Sequence, residues 1–217
     1  TDGVFIGGDI LPNQYSIEKN MKIFLEKNVF TEIENIKEIT NKKTRFFVIM
    51  GNDDPRVFEK HFIEADKKNI IDYVNEKNVK FGDLFVAGYS YIPPTPFQLK
   101  DWEKYDVSRF VDVGAVSPEK GMRTVKIKKD SMCFSTIKED LEKITGNMEI
   151  KKTIFLFHAP PYNTNLDRAS LDGKSVDQAP LDVHIGSIAI KKFIEKNHPS
   201  TTLHGPVHES TSSSGFW

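Results

Sequence analysis

The 217-residue chain is long enough for one domain with a sizeable core and short for two, and its 38% hydrophobic and 28% charged residues are ordinary for a globular protein. A net charge of −1 excludes strong non-specific attraction to nucleic acid or to an anionic membrane surface. Cys133 is the one cysteine, which excludes a disulfide framework and a cysteine-built zinc site and favours a reducing, cytoplasmic setting.

No apolar run approaches the length of a membrane span, so no membrane role is expected. The chain opens Thr1-Asp-Gly and passes straight into "VFIGGDIL", an apolar strand that ends in Asp9. The expectation is a chain cut from something longer. Residues 14–40 carry Ile17, Met21, Phe24 and Leu25, then Ile33 and Ile36, a pattern read as two helices broken near Asn28.

"RFFVIMGNDDP" has a continuous apolar run over 46–50, a strand buried on both faces, and ends in Asn52, Asp53 and Asp54. "NIIDYVNEKNVKFGDLFVAGYSY" holds two β-rich runs about "NEKN", which suggests a hairpin feeding a mixed sheet. "GYSYIPPTPF" and, later, "APPYNTNLD" are Pro- and Tyr-rich loops suited to a shaped wall. Asp101, Trp102 and Glu103 read as a solvated helix start.

Thr136-Ile-Lys-Glu139 has capping-box spacing and predicts a helix that stops near Gly146. "TIFLFHAPP" is a strand with a buried run over 154–157, and it ends in His158. In "DVHIGS", His184 stands just ahead of a helix that opens near Ser187. A helix N-terminus attracts anions, so Ser187 is a candidate phosphate contact, although an N-cap alone explains it more simply. Ile190, Phe193 and Ile194 mark that helix, and Asn197-His-Pro199 stops it. "TTLHGPVHES" closes the series with His204, Pro206 and His208.

Each strand-end residue has a bland reading on its own. A lone Asp is usually a turn former or cap, "GNDD" is good turn chemistry, and a single His is usually structural. Together, four strand ends present oxygen or imidazole donors in alternation with helices. Sites in open α/β sheets gather beyond the carboxyl ends of strands.

The order "GGD", "GND", an apolar run ending in His, then "LHGPVHES" resembles the calcineurin-like metallophosphoesterases, whose motifs run D-x-H, G-D, G-N-H-D/E, H and G-H-x-H. The resemblance spans nearly the whole chain. It implies an α/β fold, a metallophosphatase-type sandwich of two mixed β-sheets flanked by α-helices. Residues 1–217 then form a single phosphoesterase domain, incomplete at both termini.

It also implies two divalent metal ions (Mn, Fe, Zn or Ni) at the strand ends. Asp9 matches the carboxylate that bridges both, Asn52 and His158 match ligands of one, and His208 matches a ligand of the other. In that family a hydroxide bridging the metals attacks phosphorus in line. The implied substrate is a small phosphomonoester or phosphodiester, with Asp9 and Asp53 in catalytic positions; His184 and Ser187, read from the helix start where they stand, are the candidate substrate contacts.

The chain departs from the motifs in three places. The D-x-H motif is expected before Thr1. Asp53 stands where the family places a proton-donating histidine, and an Asp of ordinary pKa, about 3.9, is a poor acid at neutral pH. Some branches of the superfamily carry GNDD; a perturbed Asp53, help from His61 or His184, or a leaving group that needs no proton would each resolve the conflict. Finally, Pro206 replaces the first His of G-H-x-H, and it offers no ligand atom.

His204 shares a strand face with position 206, but two residues of strand displace it by roughly 6.5–7 Å, too far to substitute. The chain is therefore expected to hold one metal ion well. The alternative is a catalytically impaired relative that keeps the fold for binding or regulation. A nuclease is argued against by the neutral charge and the lack of a basic cluster beside aromatics.

Overall fold

The computed structural model describes residues 2–12, 18–41 and 43–205. Three strands form a parallel sheet in the order β1 (Gly3–Ile6), β2 (Arg45–Val48), β3 (Asp72–Tyr73). A second, mixed sheet has the order β4 (Asn78–Phe81), β5 (Leu84–Tyr89), β6 (Thr153–Phe157), β9 (Thr201–His204). Its first pair is antiparallel and the other two are parallel. A short hairpin, β7 (Ser175–Val176) with β8 (Ala179–Pro180), stands apart.

Alternation along β2 shows how both sheets are covered. Phe46 and Val48 belong to a large apolar cluster with Met21, Leu25, Ile33 and Phe62 from the helical segments. Phe47 and Ile49 point the other way, into a smaller layer with Val86, Leu156 and the partly buried Phe5 and Leu203. That layer draws on both sheets. The expectation of a strand buried on both faces holds, with Phe46, Phe47 and Val48 at 3%, 0% and 1% exposure.

The helices are α1 (Glu18–Phe24), α2 (Thr31–Ile39), α3 (Glu59–Lys67), α4 (Lys129–Phe134), α5 (Ile137–Thr145) and α6 (Ile188–Asn197). Helix α5 begins with the expected capping box. Thr136 accepts from the Glu139 amide at 3.1 Å, and the Glu139 carboxylate takes the Thr136 amide at 3.2 Å. Helix α6 ends at His198 in the left-handed region, as the Asn-His-Pro stop predicts.

Three expectations are corrected. The chain does not break near Asn28: a π-helical turn, Leu25–Phe30, joins α1 to α2 and keeps Leu25 and Phe30 in the core. "NEKN" is not the hairpin turn. The chain changes sheets there, where the Val74 carbonyl accepts from Gly88 N and the Gly88 carbonyl accepts from Glu76 N, and β4 turns into β5 at Gly82-Asp83. Gly82 has φ +62°, which that two-residue turn demands.

Asp101, Trp102 and Glu103 are not solvated. Together with Lys100 they are 0–1% exposed. Asp101 accepts from Arg56 N at 2.8 Å and Thr124 N at 2.9 Å, and Glu103 pairs with Lys100 at 2.6 Å. The Trp102 ring packs against Tyr91 and under Arg56. This plug anchors the segment 90–136, irregular apart from α4, to the core.

Candidate metal centre

Because β1 and β2 run parallel, the loops after them emerge on the same side, and β6 delivers His158 to the same place. The loop after β1 turns sharply through Gly8 (φ +101°) and Asp9 (φ +52°). A Cβ on Gly8 would lie 2.6 Å from Gly51 N and 2.8 Å from His158 Nδ1. A Cβ on Gly51 would strike Asp9 Oδ1 and come within 2.6 Å of His158 Nε2. Glycine is needed at both because the three loops close to van der Waals contact.

Asp9, Asn52 and His158 therefore converge, as the sequence predicts. His158 Nε2 lies 2.9 Å from Asn52 Oδ1 and 3.5 Å from Asp9 Oδ2. His158 Nδ1 sits 2.6 Å from the Gly7 carbonyl, which can only accept, so Nδ1 carries the hydrogen. In neutral imidazole that leaves a lone pair on Nε2. Asn52 Nδ2 donates to Asp53 Oδ1 at 2.7 Å, which turns the amide oxygen toward His158. Asp9 Oδ1 accepts from Asp53 N at 2.9 Å, leaving Oδ2 for the centre.

Three electron-rich atoms thus face one another. They repel unless a proton or a cation lies among them. Among the described residues no group of three or more His, Cys, Asp or Glu is placed to hold a metal. The convergent set here is one carboxylate, one imidazole and one carboxamide, and it fits a single divalent cation with room for other ligands. His158 is oriented by a backbone carbonyl, the arrangement that usually supports an imidazole ligand.

Asp54 serves differently from its neighbours. It is fully buried, accepts from Leu11 N and Gly51 N at 2.8 Å each, and so clamps the β1 and β2 loops together. Burial, with the charge of Asp9 adding to it, pushes its carboxyl up to about 6. Its carbonyl accepts from Trp102 Nε1 at 2.8 Å, which links the centre to the buried plug. Neither contact was legible beforehand, since "GNDD" shows four polar residues and not which of them turns inward.

The other expected site residues are distributed as follows. Asp53 is exposed at the rim. His184 Nδ1 is bound to the buried Asp167 at 2.8 Å, and Asp167 also takes the amides of Asn163, Thr164 and Gly186. Ser187 caps α6 through Ile190 N at 3.0 Å. It is not a free phosphate contact: the Asp106 carboxylate already occupies that helix N-terminus, held by Ser187 Oγ at 2.5 Å and Ile188 N at 2.7 Å.

His204 lies against Phe157 with both ring nitrogens engaged, one with the Ala159 carbonyl and one with the Thr202 hydroxyl, each at 3.0 Å. It is a structural residue. Pro206 and His208 lie outside the described residues. No helix among the described residues is long and apolar enough to cross a membrane.

The fold has a solved counterpart. A crystal structure superposes with a TM-score of 0.51 at 17% identity, covering 95% of this chain and 73% of that one. At that identity the likeness concerns the fold alone, a mixed α/β architecture with several sheets. No protein-family model matches the chain, and no curated protein does either.

Proposed function

We propose that the chain is a metal-dependent phosphoesterase domain of the calcineurin-like type, built on a variant of that family's two-sheet sandwich in which the described part of the first sheet is parallel and the second is mixed. One observation carries the reading: donors from three strand ends, Asp9, Asn52 and His158, meet with their acceptor atoms facing inward. These residues would hold the cation. When bound, it would polarise a phosphoryl oxygen as a Lewis acid.

The chain's own contribution is orientation. The Gly7 carbonyl fixes the His158 tautomer, Asp53 turns the Asn52 amide, and Asp54 locks two loops in register. The substrate is a small phosphate ester, and a reducing, cytoplasmic setting suits a chain with one cysteine.

A second reading, a binding relative with impaired catalysis, is favoured by Pro206, where the family has a ligand histidine. Manganese titration by calorimetry, with turnover of p-nitrophenyl phosphate and its bis-ester, tests both. Binding that Asp9→Asn weakens at least about tenfold, together with turnover, supports the enzyme. Binding without turnover supports the relative. No binding by the parent chain overturns the metal centre.

A further inference from the structure

A cleft of about 300 Å3 opens between Tyr91 and the segment 123–135, and it is lined by four cationic side chains, Arg56, Lys104, Arg123 and Lys128, and by one carboxylate, Glu103, which is paired with Lys100. Two of them are compensated. Arg56 pairs with Glu59 at 3.0 Å and donates to the Tyr91 hydroxyl at 2.7 Å, and Lys104 pairs with Asp140. The other two have no ion pair among the described residues.

Arg123 is the informative one. Its Nη2 reaches only the carbonyls of Glu103 and Pro118, at 3.3 and 3.4 Å, and its Nε is buried without a hydrogen bond. The nearby carboxylates are engaged elsewhere. Glu103 takes Lys100 Nζ at 2.6 Å, Thr95 N at 2.9 Å and the Thr95 hydroxyl at 2.5 Å. Asp101 takes Arg56 N and both groups of Thr124. Burial holds the Arg123 guanidinium below its ordinary value, with the charge of Asp101 opposing. A desolvated guanidinium without a close anion is costly, and its planar fork matches a phosphoryl group in a bidentate contact.

We propose that this cleft binds the phosphoryl group of a small phosphomonoester, gripped by Arg123 and Lys128 with Ser131 and Ser135 at the same wall. The charge decides the class. Two cations without an ion-pair partner favour a dianionic occupant over a monocarboxylate, and a phosphomonoester carries about −1.5 to −2. Tyr91 and Ile127 offer apolar surface for the remainder of the ligand. None of the lining residues belongs to the Asp9–Asn52–His158 centre, so this inference stands independently of that one.

Calorimetry in the presence of chelator, on the whole chain, tests it with inorganic phosphate and with adenosine monophosphate as separate probes. Saturable binding is expected for at least one. Tighter binding of the nucleotide identifies an ester as the natural occupant, and equal binding identifies free phosphate. Arg123→Met should weaken it about tenfold or more, Lys128→Met should weaken it measurably, and Arg123→Lys should recover part of the loss. Asp9→Asn should leave it unchanged. If Arg123→Met does not fold, the exposed Lys128 decides alone. Absence of saturable binding up to ~10 mM overturns the proposal. So does equal affinity in the parent and the Lys128→Met chain, or loss of binding in Asp9→Asn.

Discussion

Asn52 and Asp53 are adjacent in sequence and bonded side chain to side chain, Nδ2 to Oδ1 at 2.7 Å. The bond turns the carboxamide oxygen toward His158, and under the proposed function it would make Asp53 a positioning residue at a place where the family resemblance calls for a proton donor. An asparagine at 53 keeps an acceptor oxygen, and an alanine does not. Asp53→Asn should therefore retain manganese affinity, while Asp53→Ala should lose about tenfold. If both variants instead keep the metal and lose turnover selectively on esters with basic leaving groups, Asp53 donates a proton.

Gly51→Ala places a methyl against Asp9 Oδ1 and within 2.6 Å of His158 Nε2. Gly51 is not at positive φ, so the backbone itself accepts alanine. The expected outcome is a folded chain whose metal affinity falls at least about tenfold. Unchanged titration would place the metal elsewhere.

His204 gives a pH signature. Burial lowers its pKa from the ordinary 6.5, with the Ala159 carbonyl opposing. The unfolded chain thus takes up a proton at a higher pH than the folded one. Stability from this group is complete above about pH 6.5 and declines as the pH falls below it. His204→Phe preserves the stack on Phe157, and urea titrations between pH 7.5 and 5.5 should show a smaller decline for the variant. An equal decline in both chains would show that other groups carry the dependence.

Trp102→Ala removes a ring with no solvent exposure and the bond to the Asp54 carbonyl. A cost of about 3–5 kcal/mol is expected from chemical denaturation. A loss under about 1 kcal/mol would mean that the segment 90–136 folds independently of the core.

Pro206→His restores, by the family resemblance, a ligand of the position already served by Asp9, Asn52 and His158. Manganese affinity there should rise about tenfold. Equal affinity in the two chains would mean that another group already fills the place.

Much of this centre was readable because donors at the ends of apolar runs form a one-dimensional pattern that survives folding. His158 follows β6 directly, Asp9 and Asn52 lie within a few residues of the ends of β1 and β2, and these strand ends converge by topology. The plug was not readable. Asp101 and Glu103 look solvated because charge usually means surface, and the groups that satisfy them (Arg56, Thr95, Thr124) come from elsewhere in the chain. The sheet change at 74–76 was hidden for a similar reason. Two β-rich runs separated by four polar residues fit a hairpin as well as a crossover, and only the partner strand decides.

The bond from His158 to the Gly7 carbonyl spans 151 positions. A chain emerging from the ribosome completes β1, β2 and β3 by residue 73, yet the imidazole that closes the centre follows only with residue 158. At ~5–20 residues per second that interval is on the order of ten seconds. During it Asp9 and Asn52 are made but His158, which lies beside both in the folded chain, is not. Under the proposed function, a cation would therefore meet its three ligands together only late in biogenesis, after β6 has been made.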